Sequence, residues 1–341
     1  MNARATLFFA CFFLCCGGSK PSTGSDGGTE TSSVPAIQFP RDESPHSAPI
    51  EWWYYTGSLK ADSGATFGFE LVVFQGMVVG IPSYGAHYAI TDQGKGTYQL
   101  ATQTSLVDQR GATSGFDLQV GPWTMSGHAG EDTLSAHMPG YGLDIALTAK
   151  KPVVLQYGKG WMTIGSTNPF YYYSYTRMGV TGSLTVDSVK ETVTGEAWMD
   201  HQWGDMGSDY VGWDWFSLRL DDLSELMLFV VRRAGKDGFY GGTLVGPNGS
   251  VQNLNQGDFT ITAQGQWTSP HTQATYPQGW TIAVPAAAIN VTITPVLPDQ
   301  EFYESLAGSP IYWEGLCNIT GTREGTPLGG SAYVELTGYK N

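Results

Sequence analysis

Apolar and polar positions alternate with a period of two along most of the chain. Short runs rich in β-branched and aromatic residues are separated by Gly, Pro, Asn or Asp, as is typical of strands and turns. Examples are GATFGFELVVFQG, HYAITD, TYQLATQTSL, GLDIALTAK, SELMLFVVRR and SAYVELTGY. No segment carries a helical stripe longer than about ten residues. Strands at this regular spacing predict antiparallel barrels or sandwiches.

The length and a short internal repeat both indicate two β units. A chain of 341 residues is long enough for two domains, each with its own core. The WWYY run at Trp52–Tyr55 can be laid over WDWF at Trp213–Phe216, and each run continues through a polar turn into an apolar strand. In this overlay Asp214 occupies the position of Trp53. The match is short, so it adds to the length argument without replacing it.

The N-terminus has the pattern of an export signal. Arg4 supplies a positive charge, and Leu7–Leu14 is an apolar run too short to span a bilayer. The FLCC ending resembles a bacterial lipobox with Cys16 as the lipidated residue, and ordinary secretion is the alternative. We therefore predict a lipoprotein signal peptide at 1–16 and a flexible Gly/Ser/Thr-rich linker at 17–44. The expected location is the bacterial cell envelope, either periplasmic or anchored to the outer membrane.

Charge and cysteine content exclude several classes of function. The net charge of −14 provides no basic face for phosphates, so nucleic-acid binding is not expected. Cys317 is the only cysteine after the signal region, which excludes an internal disulfide and a multi-cysteine zinc site. Its apolar strand context predicts a buried thiol. The six histidines are scattered without zinc-motif spacing, and no dinucleotide fingerprint occurs in context, so neither metal nor cofactor is expected.

Seven motifs together resemble one family. In order they are EWWYYTG, AHYAITD, YYYSYTRM, WMDHQWG, GWDWFSLRLDD, ELMLF, and YWEG with YVELTGY near the end, over roughly residues 45 to 341. They resemble the lipocalin-like family that includes bacterial carotenoid 1,2-hydratase (hydroxyneurosporene synthase) and the secreted AttH-like proteins. The resemblance implies an all-β protein of two tandem lipocalin-like, calycin-type antiparallel β-barrel domains packed together around an apolar cavity. The expected domains are 45–205 and 206–341.

The resemblance implies a range of functions. Its members include hydratases that add water to the terminal double bond of acyclic carotenoids and lipocalin-like pericyclases, and a shared fold does not carry a shared reaction. The export signal places this chain nearer the secreted AttH-like proteins. We expect a protein that binds an apolar polyene, isoprenoid or lipid and, if it is an enzyme, promotes hydration or rearrangement of a carbon-carbon double bond with acid. The alternatives are a non-catalytic lipid carrier of the envelope and an interaction protein without a cavity.

Hydration of an alkene without a metal needs an acid that stays protonated, and burial among apolar groups raises a carboxyl pKa. In the hydratases the resemblance implies an Asp after an aromatic residue and an upstream His-x-Trp pair. When the motifs are matched, Asp214 corresponds to the acid, His201 to the group that positions it and Trp203 to a residue in the wall of the ligand pocket. The hydratases have a Tyr two residues before the Asp, where this chain has Gly212. The alternatives are an exposed Asp214 and a structural turn at Asp200 and His201.

The first aromatic run is a candidate part of the ligand pocket. In a strand, alternation sends Trp52 and Tyr54 to one face and Trp53 and Tyr55 to the other. We expect one of these pairs to face the cavity, and core packing is an equally good explanation of the run.

The second aromatic run supplies further candidates for ligand contact. Trp213 and Trp215 share one strand face, opposite to Asp214, so rings from other strands must surround that carboxyl. His87 is expected either at the cavity mouth or as a core histidine with its polar atoms satisfied. Arg177 is predicted to pair with a carboxylate such as Glu196.

Overall fold

The computed structural model describes residues 34–78, 80–164, 168–207, 210–304 and 310–340. The predicted signal peptide with Cys16, and the linker up to residue 33, lie outside the described residues. Within the described ranges most residues lie in strands, and the helical residues form three short 3₁₀ turns at Arg41–Glu43, Gln156–Gly158 and Pro285–Ala287. No helix in these ranges is both long enough and apolar enough to cross a membrane.

The first antiparallel sheet is built from twelve strands in the described part of the chain. Their hydrogen-bonded order is β4-β3-β2-β1-β12-β11-β8-β7-β6-β5, with β9 and β10 pairing to β11. Strands β4 and β5, the two ends of this order, approach each other, so the sheet curls around its own core. The strands are β1 (Ile50–Ala61), β2 (Thr66–Val78), β3 (Ile81–Asp92), β4 (Thr97–Ser105), β5 (Phe116–Val120), β6 (Trp123–His128), β7 (Glu131–Met138), β8 (Tyr141–Ala149), β9 (Val154–Leu155), β10 (Trp161–Met162), β11 (Phe170–Val186) and β12 (Val189–Gly204).

A second antiparallel sheet follows with ten strands in the described ranges. Its order is β16-β15-β14-β13-β24-β23-β21-β20-β17, with β22 pairing to β23, and β18 and β19 form a separate two-stranded ribbon. The strands are β13 (Tyr210–Leu220), β14 (Glu225–Arg233), β15 (Lys236–Val245), β16 (Val251–Asn255), β17 (Thr260–Ala263), β18 (Trp267–Thr268), β19 (Thr275–Tyr276), β20 (Trp280–Val284), β21 (Ile289–Pro295), β22 (Glu301–Phe302), β23 (Tyr312–Arg323) and β24 (Thr326–Thr337).

The two sheets use the repeated aromatic runs in the same way. Strand β1 pairs with β2 and β12, and β13 pairs with β14 and β24, so each run begins a central strand of its own sheet. Each sheet also has its own buried apolar core, and the first contains Trp53 and Tyr55. Cys317 is buried in the second core, as its apolar context predicts.

A third apolar cluster lies between the sheets and joins them. Buried charges reinforce this contact. Arg177 of β11 forms ion pairs of 2.6 Å with Glu196 of β12 and with Glu225 of β14, and the predicted Arg177–Glu196 pair is thus present. Lys151 also pairs with Glu225, at 2.7 Å. The two ion pairs to Glu225 connect the first half of the chain to the second sheet, while burial of the apolar cluster supplies the main stabilisation of this contact.

Residues 34–44, assigned from sequence to the flexible linker, pack against the first sheet. Asp42, Glu43 and Ser44 are buried. The Ser44 hydroxyl donates to the Gly115 carbonyl at 2.7 Å, and the Ala129 N–H donates to Glu43 at 2.8 Å. Composition alone favoured a flexible tether here, but these tertiary hydrogen bonds hold the segment in place.

Candidate functional site

A cavity lies between the two sheets and is lined by both. Its volume is about 140 Å³, similar to engineered apolar cavities that hold one benzene-sized molecule. Most of the wall is aromatic or aliphatic, with rings from Trp52, Tyr54, Phe170, Tyr172, Trp213 and Trp215. A concave apolar site with few polar groups is the usual form of a small-molecule pocket.

Strand alternation places these rings. Trp52 and Tyr54 face the cavity, whereas Trp53 and Tyr55 point into the core of the first sheet. The ring of Trp52 stacks on Trp213, with centroids 6.5 Å apart and planes 9° apart. Tyr54 meets Trp215 edge to face at 5.3 Å. The repeated runs of the two sheets therefore meet face to face and form one wall of the site.

Glu335 is an acid within this aromatic wall. It lies beside Trp215 in the strand register and lines the cavity. The indole N–H of Trp213 donates to Oε2 at 2.8 Å, and Oε1 has no hydrogen-bond partner among the described residues. Burial raises the pKa of Glu335 to about 7, partly opposed by the Trp213 hydrogen bond. At neutral pH the Glu335 carboxyl is therefore protonated in a large fraction of the molecules.

Asp200 is a second cavity acid, but its oxygens are occupied. It accepts hydrogen bonds from Tyr172 at 2.7 Å, Ser174 at 2.5 Å and Trp198 at 2.7 Å. Burial raises the pKa of Asp200 to about 7 even though these three donors favour the charged form. The Tyr172 hydroxyl also accepts the indole N–H of Trp215 at 3.1 Å. A hydrogen-bonded chain thus runs from the cavity wall through Tyr172 to Asp200.

Two further carboxyls, Glu70 and Glu314, cross-link the sheets. Tyr54 of the first sheet donates to Glu314 of the second at 2.7 Å, and Tyr312 of the second donates to Glu70 of the first at 2.6 Å. One oxygen of each carboxyl is buried without a partner in the described structure. Burial raises the pKa of Glu70 to about 8, and burial with nearby carboxylates raises that of Glu314 well above its usual range. The pair therefore retains a proton at neutral pH.

His87 also lines the cavity, and it is buried. Its Nδ1 lies 2.8 Å from the Tyr312 hydroxyl, and its ring stacks on Phe302 with centroids 4.1 Å apart. Burial lowers the pKa of His87 to about 3, so the imidazole is neutral. The residue has both a packing role and a face towards the pocket.

The structure corrects the predicted location of Asp214. Alternation turns its side chain away from Trp213 and Trp215, and it does not line the cavity. Its carboxylate forms an ion pair with Arg232 and accepts from the Tyr339 hydroxyl at 3.0 Å. Burial does raise the pKa of Asp214, as predicted, with the Arg232 charge opposing the shift. The raised pKa thus occurs at a site that a cavity ligand does not reach.

His201 and Trp203 are also displaced from their predicted roles. Both point into the core of the first sheet, because their positions on β12 alternate with Asp200. His201 bonds Glu51 at 2.8 Å and Tyr173 at 3.1 Å, and so cannot orient Asp214. The alternative of a turn at Asp200 and His201 is wrong as well, since both lie within one long strand.

Sequence reasoning missed Asp200 as a cavity residue, together with Glu70, Glu335 and Tyr172. A signal was present, because Glu70 stands inside GFELVVFQ and Glu335 inside SAYVELTGY. A carboxyl at an interior position of an apolar strand is rarely buried without a partner or a function. The sequence did not show that these strands face each other across one cavity.

Curled antiparallel sheets around separate cores, with a ligand-sized cavity between them, define a lipocalin-like all-β protein. The family model described as AttH-like matches residues 30–339, which is nearly the whole chain. The chain belongs to the AttH-like family, in agreement with the motif resemblance.

Solved structures support the same fold. An AttH protein from Nitrosomonas europaea is 28% identical, with a TM-score of 0.81, covering 91% of this chain and 99% of its own. Kievitone hydratase from Nectria haematococca is 18% identical, with a TM-score of 0.74 and coverages of 90% and 94%. CghA with Sch210972 is 10% identical, with a TM-score of 0.54 and coverages of 85% and 88%. No match was found among curated proteins.

Proposed function

We propose that this protein is a hydratase that adds water to a carbon-carbon double bond of an apolar, isoprenoid-like molecule held in the cavity. The observation that carries the proposal is Glu335 in the aromatic pocket. Its pKa is about 7, and one of its oxygens has no hydrogen-bond partner among the described residues. Kievitone hydratase, a similar fold, is named for a hydration reaction. That likeness supports the proposal without assigning the substrate.

The shape of the cavity favours a compact apolar group. A volume of about 140 Å³ accommodates roughly one ring or one branched isoprenoid unit. A long polyene would therefore place only its end among the rings of Trp52, Trp213 and Trp215. A terminal, branched double bond fits this site, because protonation there gives a tertiary cation.

Glu335 supplies the proton in the first step. Its protonated carboxyl transfers H⁺ to the less substituted alkene carbon, forming a C–H bond while the π bond breaks. The faces of Trp213 and Trp215 stabilise the positive charge on the other carbon through their quadrupoles. The Asp200 carboxylate adds electrostatic stabilisation in a site of low dielectric.

Tyr172 and Asp200 accept the proton that the attacking water releases. The Tyr172 hydroxyl donates to Asp200 and retains a lone pair that can accept a proton from a cavity water. As the water oxygen bonds to the cation, its proton passes to Tyr172 and the tyrosine proton passes to Asp200. The net change is addition of one water, and solvent exchange returns the proton from Asp200 to Glu335.

A second candidate function is a non-catalytic carrier of the same apolar molecules. It is favoured by the largely apolar cavity wall and by the three donors that already satisfy Asp200. The predicted lipid anchor at Cys16 and the envelope location remain proposals that suit either function. The carrier predicts release of unchanged ligand, whereas the hydratase predicts an alcohol.

The variant Glu335→Gln separates the two functions. The amide oxygen of glutamine still accepts from Trp213, so folding and ligand binding should persist. If Glu335 is the acid, turnover falls by about 10²- to 10⁴-fold with little change in ligand affinity. Glu324→Gln, an exposed glutamate in the turn between β23 and β24, is the matched control. Turnover in Glu335→Gln equal to that of the control would remove Glu335 from the mechanism.

A further inference from the structure

Two histidines far apart in sequence converge on one buried carboxylate, that of Glu51, which borders the cavity although neither histidine lines it. His46 Nδ1 lies 2.7 Å, and His201 Nε2 2.8 Å, from the same oxygen of Glu51, Oε1. The ligand atoms of these residues all lie within 4.8 Å of one another. Glu51 and His201 are fully buried, and the His46 side chain is 22% exposed. This is the donor set of two imidazoles and one carboxylate that divalent transition metals bind.

We propose that His46, Glu51 and His201 form a zinc-type divalent metal site in the first sheet, at the border of the cavity. Zinc binds imidazole nitrogen and carboxylate oxygen at about 2.0–2.2 Å, which sets neighbouring ligands about 3.4 Å apart. The present nitrogen-oxygen distances of 2.7 and 2.8 Å therefore need to open by about 0.6 Å. Small rotations of the Glu51 carboxylate and the His46 ring achieve this.

The sides of His201 and Glu51 that face away from the proposed ion are already held by hydrogen bonds. The Tyr173 hydroxyl lies 3.1 Å from His201 Nδ1. His46 Nε2 is buried without a hydrogen-bond partner among the described residues, and its nearest charged group is Asp42 at 3.6 Å. The second oxygen of Glu51 accepts from the backbone N–H of His46 at 2.8 Å and from Gln75 at 3.1 Å. Metal-bound histidines usually donate their other ring nitrogen to such a partner, which fixes the tautomer and the ring orientation.

Stacking on indoles further fixes both imidazoles. His46 stacks on Trp203 with centroids 4.1 Å apart and planes 7° apart, and His201 stacks on Trp53 at 4.5 Å and 23°. Preorganised ligands lose little freedom when an ion binds. Because His46 is the only partly exposed member of the three, the ion enters past its ring.

The site joins three separate parts of the chain. His46 belongs to the segment before β1, Glu51 to β1 and His201 to β12. A metal here therefore ties the packed N-terminal segment to the centre of the first sheet. Its role is stabilisation, because neither histidine lines the cavity and the proposed hydration uses Glu335, Tyr172 and Asp200 instead.

The test uses the full chain stripped of metal with a chelator. It is then incubated with Zn²⁺ or Co²⁺. One portion is desalted and measured for metal content by mass spectrometry, and a second portion, kept in excess ion, is measured for Co²⁺ absorption in the visible range and for Tm. We expect one ion per chain, a tetrahedral or five-coordinate Co²⁺ spectrum, and a Tm rise of about 5 °C at a hundredfold excess over Kd.

Variants locate the ion. His46→Gln removes the partly exposed ligand and leaves the Glu51–His201 hydrogen bond, so it should fold and lose both the bound ion and the Tm rise. His137→Gln, which alters an exposed histidine paired with Asp144, should retain both. No retained ion and no Tm rise in the unmodified chain overturns the proposal, even if His46→Gln fails to fold. Equal retention in both variants also overturns it, because the ion is then bound elsewhere.

Discussion

Replacing Glu70 with glutamine should change how stability depends on pH. Glu70 is fully buried between the sheets, and its Oε1 accepts the Tyr312 hydroxyl at 2.6 Å. Burial raises its pKa from about 4.5 to about 8, and nearby Glu335 adds to the shift. In Glu70→Gln the amide oxygen preserves the Tyr312 hydrogen bond, while the side chain can no longer ionise. The variant thus isolates the energetic effect of the charge.

The sign and size follow from proton linkage. The unfolded chain releases the Glu70 proton near pH 4.5, whereas the folded chain retains it to about pH 8. Wild-type stability therefore falls as pH rises between these values and then levels off. Each pKa unit corresponds to about 1.4 kcal/mol, so the wild type should lose up to about 5 kcal/mol relative to Glu70→Gln over this range.

Urea unfolding followed by tryptophan fluorescence measures this difference. Free energies of unfolding are compared at pH 5 and pH 9 for the wild type, Glu70→Gln and the exposed control Glu324→Gln. The advantage of Glu70→Gln over the wild type should increase by several kcal/mol from pH 5 to pH 9. An advantage that is the same at both pH values would mean that Glu70 titrates normally, and would refute the buried-carboxyl account of the interface.

Three further outcomes are expected. The kcat/KM of the wild type should show a bell-shaped pH profile with a maximum near pH 7, because Glu335 must be protonated and Asp200 ionised. A kcat/KM that is constant from pH 5 to 9 would contradict these roles. Asp214→Asn should lower the free energy of unfolding by about 1–2 kcal/mol through its weakened bond to Arg232, while turnover stays within twofold, as steady-state kinetics would show. Gly68→Ala should lower the free energy of unfolding, measured by thermal or urea denaturation, by about 1–3 kcal/mol, because its Cβ would lie 2.5 Å from the Tyr333 hydroxyl across the sheet interface. Unchanged stability would show that the interface can rearrange to accept the methyl group.

The sequence predicted the all-β fold because period-two alternation and turn residues are local signals. It also predicted that Trp52 and Tyr54 share a face, but alternation alone did not say which face meets the cavity. That depends on the packing of two sheets, in which Tyr54 bonds a carboxyl 260 residues away. Information of this kind is not contained in any local window.

The motif match selected strands that border the cavity, but Asp214, His201 and Trp203 are not among the side chains that line it. Asp214 and His201 each lie next to the cavity-facing position, and a shift of one residue moves a side chain to the opposite face. Asp200 therefore reaches the cavity where His201 does not. Similarly, scattered histidines gave no metal signal, because His46 and His201 meet only after β1 has paired with β12.

The most direct test of the proposed hydratase activity is incubation with apolar compounds that carry a terminal isoprenoid double bond, in water enriched with heavy oxygen. Candidate compounds include lipids extracted from the protein purified from its native cells. The account predicts an alcohol that has gained the mass of one labelled water, formed by the wild type and by Glu324→Gln but not by Glu335→Gln. If the compounds bind to the wild type and are recovered unchanged and unlabelled, the hydratase proposal is contradicted and the carrier function is favoured.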